Sequence, residues 1–225
     1  MLTITPIPAF TDNYIWLLRA QNSTLVTVVD PGDATPVLKM LAEQGLQLSD
    51  ILITHHHYDH VGGIAALRAD YPEVRVVGPN GSPAAAQFTH TVQQGDVVVL
   101  SALGVSFTVL ATAGHTLDHV SYYSTAAQVL FCGDTLLSAG CGRLFEGTAQ
   151  QLHNSLQCLV QLPDETRVYC THEYTLANLS FAQMIEPKNE NISDYKQWVA
   201  AQRQQFEPSL PSTIAQEKRV NPFLR

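Results

Sequence analysis

Short blocks of apolar residues, broken by turn formers, run through the first three quarters of the chain. β-Branched and aromatic runs stand at 14–18 (YIWLL), 25–30 (LVTVVD), 51–54 (ILIT), 74–78 (VRVVG), 97–100 (VVVL), 105–112 (VSFTVLAT), 120–124 (VSYYS), 129–132 (VLFC) and 167–170 (RVYC). Runs of this length, bounded by Gly, Pro, Asp or Asn, predict strands closed by turns. Between them the apolar period lengthens to that of a helix. Residues 35–45 place Val37, Leu38 and Leu41 on one face and stop at Gly45, a C-cap position, and a second helix is expected over 62–72. Residues 148–163 set Leu152, Leu156, Leu159 and Val160 at i, i+4, i+7 and i+8 behind Thr148, an N-cap. After Gly147 the chain has no glycine, and after 170 the β-branched runs stop. Helices are predicted over 175–186 and 193–207, the second capped by Ser193. The expected organisation is a mixed α/β domain over residues 1–172 and a small helical C-terminal domain over 173–225.

A chain of 225 residues, 45% of them apolar, can bury the core of one large domain with a small appendage. No apolar run approaches the ~20 residues that span a bilayer. The N-terminal MLTITPIPAF lacks the basic, apolar and cleavage regions of a signal peptide. A net charge of −8 argues against nucleic acid as a partner. Cys132, Cys141, Cys158 and Cys170 show no C-x-x-C spacing and read as free, mostly buried thiols in a reducing compartment. The expectation is a cytoplasmic monomer with neither a membrane nor a nucleic acid as partner.

One stretch changes this picture. THHHYDH (54–60) packs four histidines and an aspartate directly behind a strand. Side chains alternate along extended backbone, so His55, His57 and Asp59 are expected on one side and His56 and Tyr58 on the other, with His60 following as the chain turns into a helix. Neutral imidazoles suit zinc and iron, and the carboxylate adds charge and a harder ligand. Five donors in six residues cannot all wrap one tetrahedral ion, so other strand ends should contribute. His115 in TAGHTLDH, Asp134 in VLFCGDTL and His172 in RVYCTHEY repeat the order of apolar strand, turn residue and ligand. His119 reads as supporting or structural, His90 and His153 as surface residues, and His56 as a bystander.

THHHYDH followed by GHT, GDT and HEY resembles the metallo-β-lactamase superfamily. Within it, the stretches 10–18 (FTDNYIWLL), 28–33 (VVDPGD), 114–123, 131–152, 171–182 and 211–225 resemble the hydroxyacylglutathione hydrolase (glyoxalase II) family from end to end. The metal motif alone specifies the superfamily; CGRLFEGT, HEYT and NPFLR specify the thioesterase branch. The resemblance implies an αββα sandwich holding two divalent metal ions, zinc before iron or manganese. It implies one ion on His55, His57 and His115, the other on Asp59, His60 and His172, and Asp134 between them. Asp59 and Asp134 are then the catalytic carboxylates that orient the attacking hydroxide, and Arg143, Phe145 and Tyr174 contact substrate. The implied substrate is a glutathione thioester, S-D-lactoylglutathione, cut to glutathione and D-lactate in the second step of methylglyoxal detoxification.

An acidic chain needs a local basic patch for that anionic substrate, with Arg143, Lys218, Arg219 and Arg225 as candidates. Three departures from the family stand out. Ala113 replaces a common proline, Phe145 replaces a tyrosine of some members, and Arg225 closes the chain where many members continue into a basic tail. Rival readings on the same scaffold are a lactamase, a lactonase, ribonuclease Z or a persulfide dioxygenase. Common lactamases carry cysteine where Asp134 stands, the acidic charge disfavours a nuclease, and a dioxygenase would use one iron without Asp59 and His60. A metal-storing module fits less well, because the candidate ligands cap rigid strands rather than a flexible tract.

Overall fold

The computed structural model describes residues 2–225. Its first sheet lays β1 (Leu2–Ala9), β2 (Asn13–Ala20), β3 (Leu25–Val29), β4 (Gln47–Leu52), β5 (Arg75–Pro79) and β6 (His90–Val92) side by side in chain order. The pairs up to β3 are antiparallel and those from β3 to β6 parallel. Parallel pairing needs crossovers, and α1 (Ala34–Gln44), α2 (Tyr58–Val61) and α3 (Ile64–Asp70) lie within the first two. The second sheet takes β7 (Val97–Leu100), β8 (Val105–Ala111), β9 (Val120–Ser124) and β10 (Val129–Gly133). After a hairpin of β11 (Leu136–Leu137) and β12 (Gly140–Cys141), and α4 (Ala149–Val160), it adds β13 (Arg167–Cys170) and finally β14 (Ser212–Thr213). Its order is β14-β13-β10-β9-β8-β7. Between β13 and β14 run α5 (Thr175–Ile185) and α6 (Glu190–Gln204), and α7 (Ile214–Val220) follows β14.

β2 shows how the layers form. Tyr14, Trp16 and Leu18 are buried with Phe107, Tyr122 and Phe131 of the facing sheet, while Ile15 and Leu17 are buried with Val37 and Leu41 of α1 and Ile64 and Leu67 of α3. Period-two alternation thus buries both faces of one strand. On the other side Leu152, Leu156 and Leu159 of α4 are buried in one cluster with residues of the second sheet. The result is an αββα sandwich. Each of its large apolar side chains contributes about 1.5–3 kcal/mol on burial. Two polar links cross this core beside the strand ends. Trp16 Nε1 donates to the Cys170 carbonyl at 3.0 Å, and Tyr122 Oη donates to that of Ile53 at 2.8 Å. Cys170 and Ile53 each lie two residues before a candidate ligand, so the core fixes where those histidines emerge.

Caps fall largely where residue chemistry places them. Gly45 closes α1 in the left-handed region at φ 63°, and Thr148 opens α4 with Gln151 in a reciprocal capping box. Some elements add to the sequence expectations and others correct them. β1 is a strand despite Pro6 and Pro8, because it lies at a sheet edge where a missing N–H costs nothing. The single helix expected over 62–72 is α2 and α3, separated at Gly62–Gly63. α6 starts three residues before Ser193; Asn189 caps it by accepting from the Asn191 N–H. α7 arises in a stretch not read as helical, capped by Thr213.

Leu179, Ala182, Ile192, Val199 and Val220 give the C-terminal helices a small core of their own with Ala139. The same segment returns to the second sheet through β14, with Leu210 and Ile214 in the main core. Among the described residues no helix is long and apolar enough to cross a membrane. Cys132 and Cys170 are buried, Cys141 is half-buried, Cys158 is exposed, and all four are free.

Candidate metal centre and substrate cleft

The candidate ligands emerge where both sheets end. β4 stops at Leu52, and the extended segment after it carries buried His55 and half-buried His57 to the same side. Asp59 arrives differently from the expected alternation: it lies in α2, and one helical turn brings Asp59 and His60 back toward His55 and His57. His115 leaves the loop after β8, Asp134 follows β10, and His172 follows β13. All seven side chains converge. Ligand atoms of His55, His57 and His115 lie within 4.8 Å of one another, as do those of Asp59, His60 and His172 and those of His55, His60 and Asp134. Asp134 stands between the two triads. Its Oδ2 is 3.4 Å from His115 Nε2 and 3.2 Å from His172 Nε2, and its Oδ1 is 3.6 Å from His60 Nε2.

A second ring of groups sets which atom each ligand presents. Thr54 Oγ1 donates to Asp30 Oδ2 at 2.7 Å and is left to accept from His55 Nδ1, 3.1 Å away. His115 Nδ1 donates to the Arg143 carbonyl at 2.7 Å, and His172 Nδ1 faces Asp12 Oδ1 at 2.8 Å. Asp30 Oδ2 is 3.0 Å from His60 Nδ1, and Asn13 Nδ2 donates to Asp59 Oδ2 at 2.9 Å. The inward-facing nitrogens of His55 and His115 are therefore free to act as lone-pair donors, and that of His172 becomes one on giving up the proton it shares with Asp59 and Asp134. His119 is no ligand. It accepts from the Asp134 N–H through Nε2, faces Thr112 and Thr135 through Nδ1, and burial pushes it down to about 3.

The donor set fits metal ions. His55 Nε2, His60 Nε2 and Asp134 Oδ1 are buried with no hydrogen-bond partner. Buried orphans of this kind cost about 1–3 kcal/mol each and are rare unless a ligand satisfies them. His57 Nδ1 and His115 Nε2 face each other at 3.0 Å, near the roughly 3.3 Å that separates two nitrogens on one tetrahedral zinc. Electrostatics point the same way. Burial, then His60 and His119, holds His55 well below the usual histidine range. Burial opposes ionisation of Asp134, but His60 and His172 outweigh it and keep the carboxylate ionised. Burial likewise opposes protonation of His172, and hydrogen bonds to Asp134 and Asp59 overcome it, raising that group to about 10.

A cleft of about 370 Å³ opens onto this cluster, walled by Arg143, Phe145, Tyr174 and Leu137. Tyr174 stacks on His172 with ring centroids 4.7 Å apart, and Phe145 stands edge-on to His57 and His115 at 5.2 and 5.3 Å. Arg143 lies over Phe145, 5.2 Å from its centroid, and among the described residues is the one arginine or lysine lining the cleft. Gly142 permits this wall: a Cβ there would sit 1.8 Å from the Asp134 carbonyl oxygen. Lys218 and Arg225, expected near substrate, instead pair with Asp164 and Glu186, and Arg219 donates to Gln216. None of the three lines the cleft.

The metallo-beta-lactamase superfamily model matches residues 10–172, and the model of the hydroxyacylglutathione hydrolase C-terminus matches residues 173–225. A hydroxyacylglutathione hydrolase of Photobacterium profundum is 54% identical over all of this chain and 87% of its own length. The chain belongs to the hydroxyacylglutathione hydrolase family. A member from Chromohalobacter salexigens is 53% identical, again over the whole chain and 87% of its own length. Among solved structures, ETHE1 from Myxococcus xanthus superposes with a TM-score of 0.71 at 30% identity over 99% of this chain and 83% of that one. TTHA1623 in a di-iron-bound form superposes with a TM-score of 0.68 at 25% identity, covering 98% of this chain and all of that one.

The cluster also contains groups that sequence reasoning did not single out. Asp30 ends the apolar run 25–30, the same pattern that flagged His115 and Asp134, and that was an available signal; Asp12 and Asn13 stand at the start of β2 and had none. His90 and His153 are exposed, away from the cluster, as expected.

Proposed function

We propose that this chain hydrolyses S-2-hydroxyacylglutathione thioesters, S-D-lactoylglutathione first among them, to glutathione and the 2-hydroxy acid, the second step of methylglyoxal detoxification. The match of residues 173–225 to the hydroxyacylglutathione hydrolase C-terminus carries the reading, because the metal cluster alone specifies only the superfamily. In this reading His55, His57 and His115 hold one divalent ion, Asp59, His60 and His172 hold the other, and Asp134 serves both. Zinc suits these donors best, with iron or manganese also accommodated. Bound ions supply Lewis acidity and make hydroxide available near neutral pH.

The chain's own groups do the rest. Asp59 and Asp134 accept hydrogen bonds from the attacking water and aim it at the thioester carbonyl. Arg143 offers a charge-assisted contact to a substrate carboxylate. Phe145 and Tyr174 close the sides of the cleft and limit access of bulk water. The leaving thiolate, with a free-thiol pKa near ~8.5, needs little acid assistance. A thiol nucleophile has no support: burial pushes Cys141 up to about 11 and Cys132 well above the ordinary range. The division at residue 172, a monomeric state and a reducing cytoplasmic location belong to the same proposal; the boundary between the two matched family models supports the first and the free cysteines the last. The test is an assay of metal-replete protein on S-D-lactoylglutathione beside a β-lactam and a lactone, with ions counted per chain. Turnover of the thioester alone with two ions bound is expected. Two ions bound without thioester turnover would refute it.

A further inference from the structure

His56 faces away from the metal cluster and is far from idle. Its Nδ1 lies 2.9 Å from Asp118 Oδ1 and its Nε2 3.2 Å from Glu146 Oε1, with 17% of the side chain exposed. Both carboxylates have further ties. Thr116 Oγ1 donates to Asp118 Oδ1 at 2.6 Å, and the Leu117 N–H donates to Glu146 Oε2 at 2.9 Å. One imidazole therefore joins three segments: the metal-binding stretch, the loop after β8, and the strap at residues 142–147. The strap is neither helix nor strand, so its position depends on such tethers. Its backbone adds others: Phe145 and Glu146 N–H groups reach the His115 carbonyl at 3.2 and 3.4 Å, and Gly147 reaches that of Gly114 at 3.1 Å. Arg143 and Phe145, the strap's two groups at the cleft, are both exposed.

We propose that His56 is a positioning residue which, held between Asp118 and Glu146, clamps the 142–147 strap so that Arg143 and Phe145 stand at the mouth of the cleft. It sets substrate affinity while touching neither metal nor substrate. The roles of Arg143 and Phe145 rest on the thioesterase reading; the clamp itself does not.

The experiment compares the full-length, metal-loaded wild type with His56→Ala, His56→Gln and the His56→Ala/Glu146→Gln double variant. Three quantities are read: ions per chain, KM and kcat on S-D-lactoylglutathione, and the rate of tryptic cleavage after Arg143. His56→Ala should keep two ions, raise KM about tenfold and change kcat by less than about threefold. Cleavage after Arg143 should accelerate about tenfold while the melting temperature stays near the wild type's. His56→Gln, which keeps one N–H near Glu146, should recover part of both effects. The double variant should exceed His56→Ala by no more than about twofold, since both changes break one clamp. Wild-type KM and cleavage in His56→Ala would overturn the proposal, as would faster cleavage throughout the chain with a lowered melting temperature. So would loss of an ion in His56→Ala, including a fall from three to two, since His56, His57 and Glu146 also form a possible ligand triad. A wild type inactive on the thioester would refute the thioesterase reading, and cleavage after Arg143 would still decide the clamp.

Discussion

Asp12 offers the sharpest test of how the ligand set is held. Its Oδ1 stands 2.8 Å from His172 Nδ1, and the side chain is 31% exposed. The carboxylate accepts a hydrogen bond from the Nδ1–H, fixes the ring plane and raises the basicity of Nε2, the atom facing Asp59 and Asp134. Removing such an outer partner typically weakens metal binding by about 10- to 100-fold. Partial exposure places this case toward the lower end, because water replaces part of the lost interaction. Asp12→Ala should therefore weaken the ion held by His172 by about 10- to 30-fold, or about 1.4–2 kcal/mol. Asp12→Asn keeps an acceptor oxygen but loses the charge, and should fall between the wild type and Asp12→Ala. If His55, His57 and His115 hold the other ion as proposed, its affinity should be unaffected, since none of these contacts Asp12 directly. Titration with a chelator of known affinity, with ions counted by native mass spectrometry, separates the two sites. If both ions in Asp12→Ala resist the chelator as in the wild type, the stack of Tyr174 on His172 orients that ring instead. If both ions leave together, the assumed independence of the triads is wrong.

Gly32→Ala should cost the same ion by another route: its Cβ would lie 1.9 Å from the Asp59 carbonyl oxygen, so α2 must shift. One ion lost per chain, with a lower melting temperature, is the expected readout. Arg143→Ala should raise KM about tenfold with kcat within a few-fold, and the difference should shrink as salt rises from about 0.05 to 0.5 M; a salt-independent KM would count against Arg143 as the anion contact. Loading the ion-free protein at pH 7.5 should release roughly one to two protons per chain, read from calorimetric enthalpies in two buffers. The sign follows from His172, raised to about 10 when ion-free despite burial, by its bonds to Asp134 and Asp59. Its contribution to ion-free stability is complete below the unfolded value of about 6.5 and lost as pH rises through about 10. Metal affinity should accordingly rise with pH, and binding without proton release would contradict this.

The seven candidate ligands were legible because four crowd into THHHYDH directly behind a strand and His115, Asp134 and His172 each follow an apolar strand and a turn residue, patterns that need only local sequence to detect. Asp59 was expected in the cluster for an incomplete reason: strand alternation places His57, but the helical turn of α2 delivers Asp59. β1 was hidden because its prolines are tolerated only at an edge, and edge position is a property of the sheet rather than of the strand. Asp12, Asn13 and Asp30 carried no spacing relation to the histidines they support. Asp12 meets His172 across 160 residues because Asn13 forms a bridge with His172 at the junction of the two sheets. Such a pairing exists only once both sheets have formed.

His56 marks the boundary between these two kinds of information. Alternation along THHHYDH sends its ring toward Asp118 and Glu146, although that ring still lies 5.1 Å from the ring of His57, and from sequence this made it a bystander. Yet the geometry that removes a side chain from the metal pocket also delivers it to whatever packs behind. Here that is Asp118 from the loop after β8 and Glu146 from the strap bearing Arg143 and Phe145. Consecutive residues of one extended segment can therefore serve metal and substrate wall separately, because their side chains diverge by about 180°. A shift in the backbone at 55–57 would disturb both functions together, whereas a substitution at His56 alone should reach only the wall. That asymmetry is why the ratio of KM to metal loss, rather than activity alone, tests the arrangement.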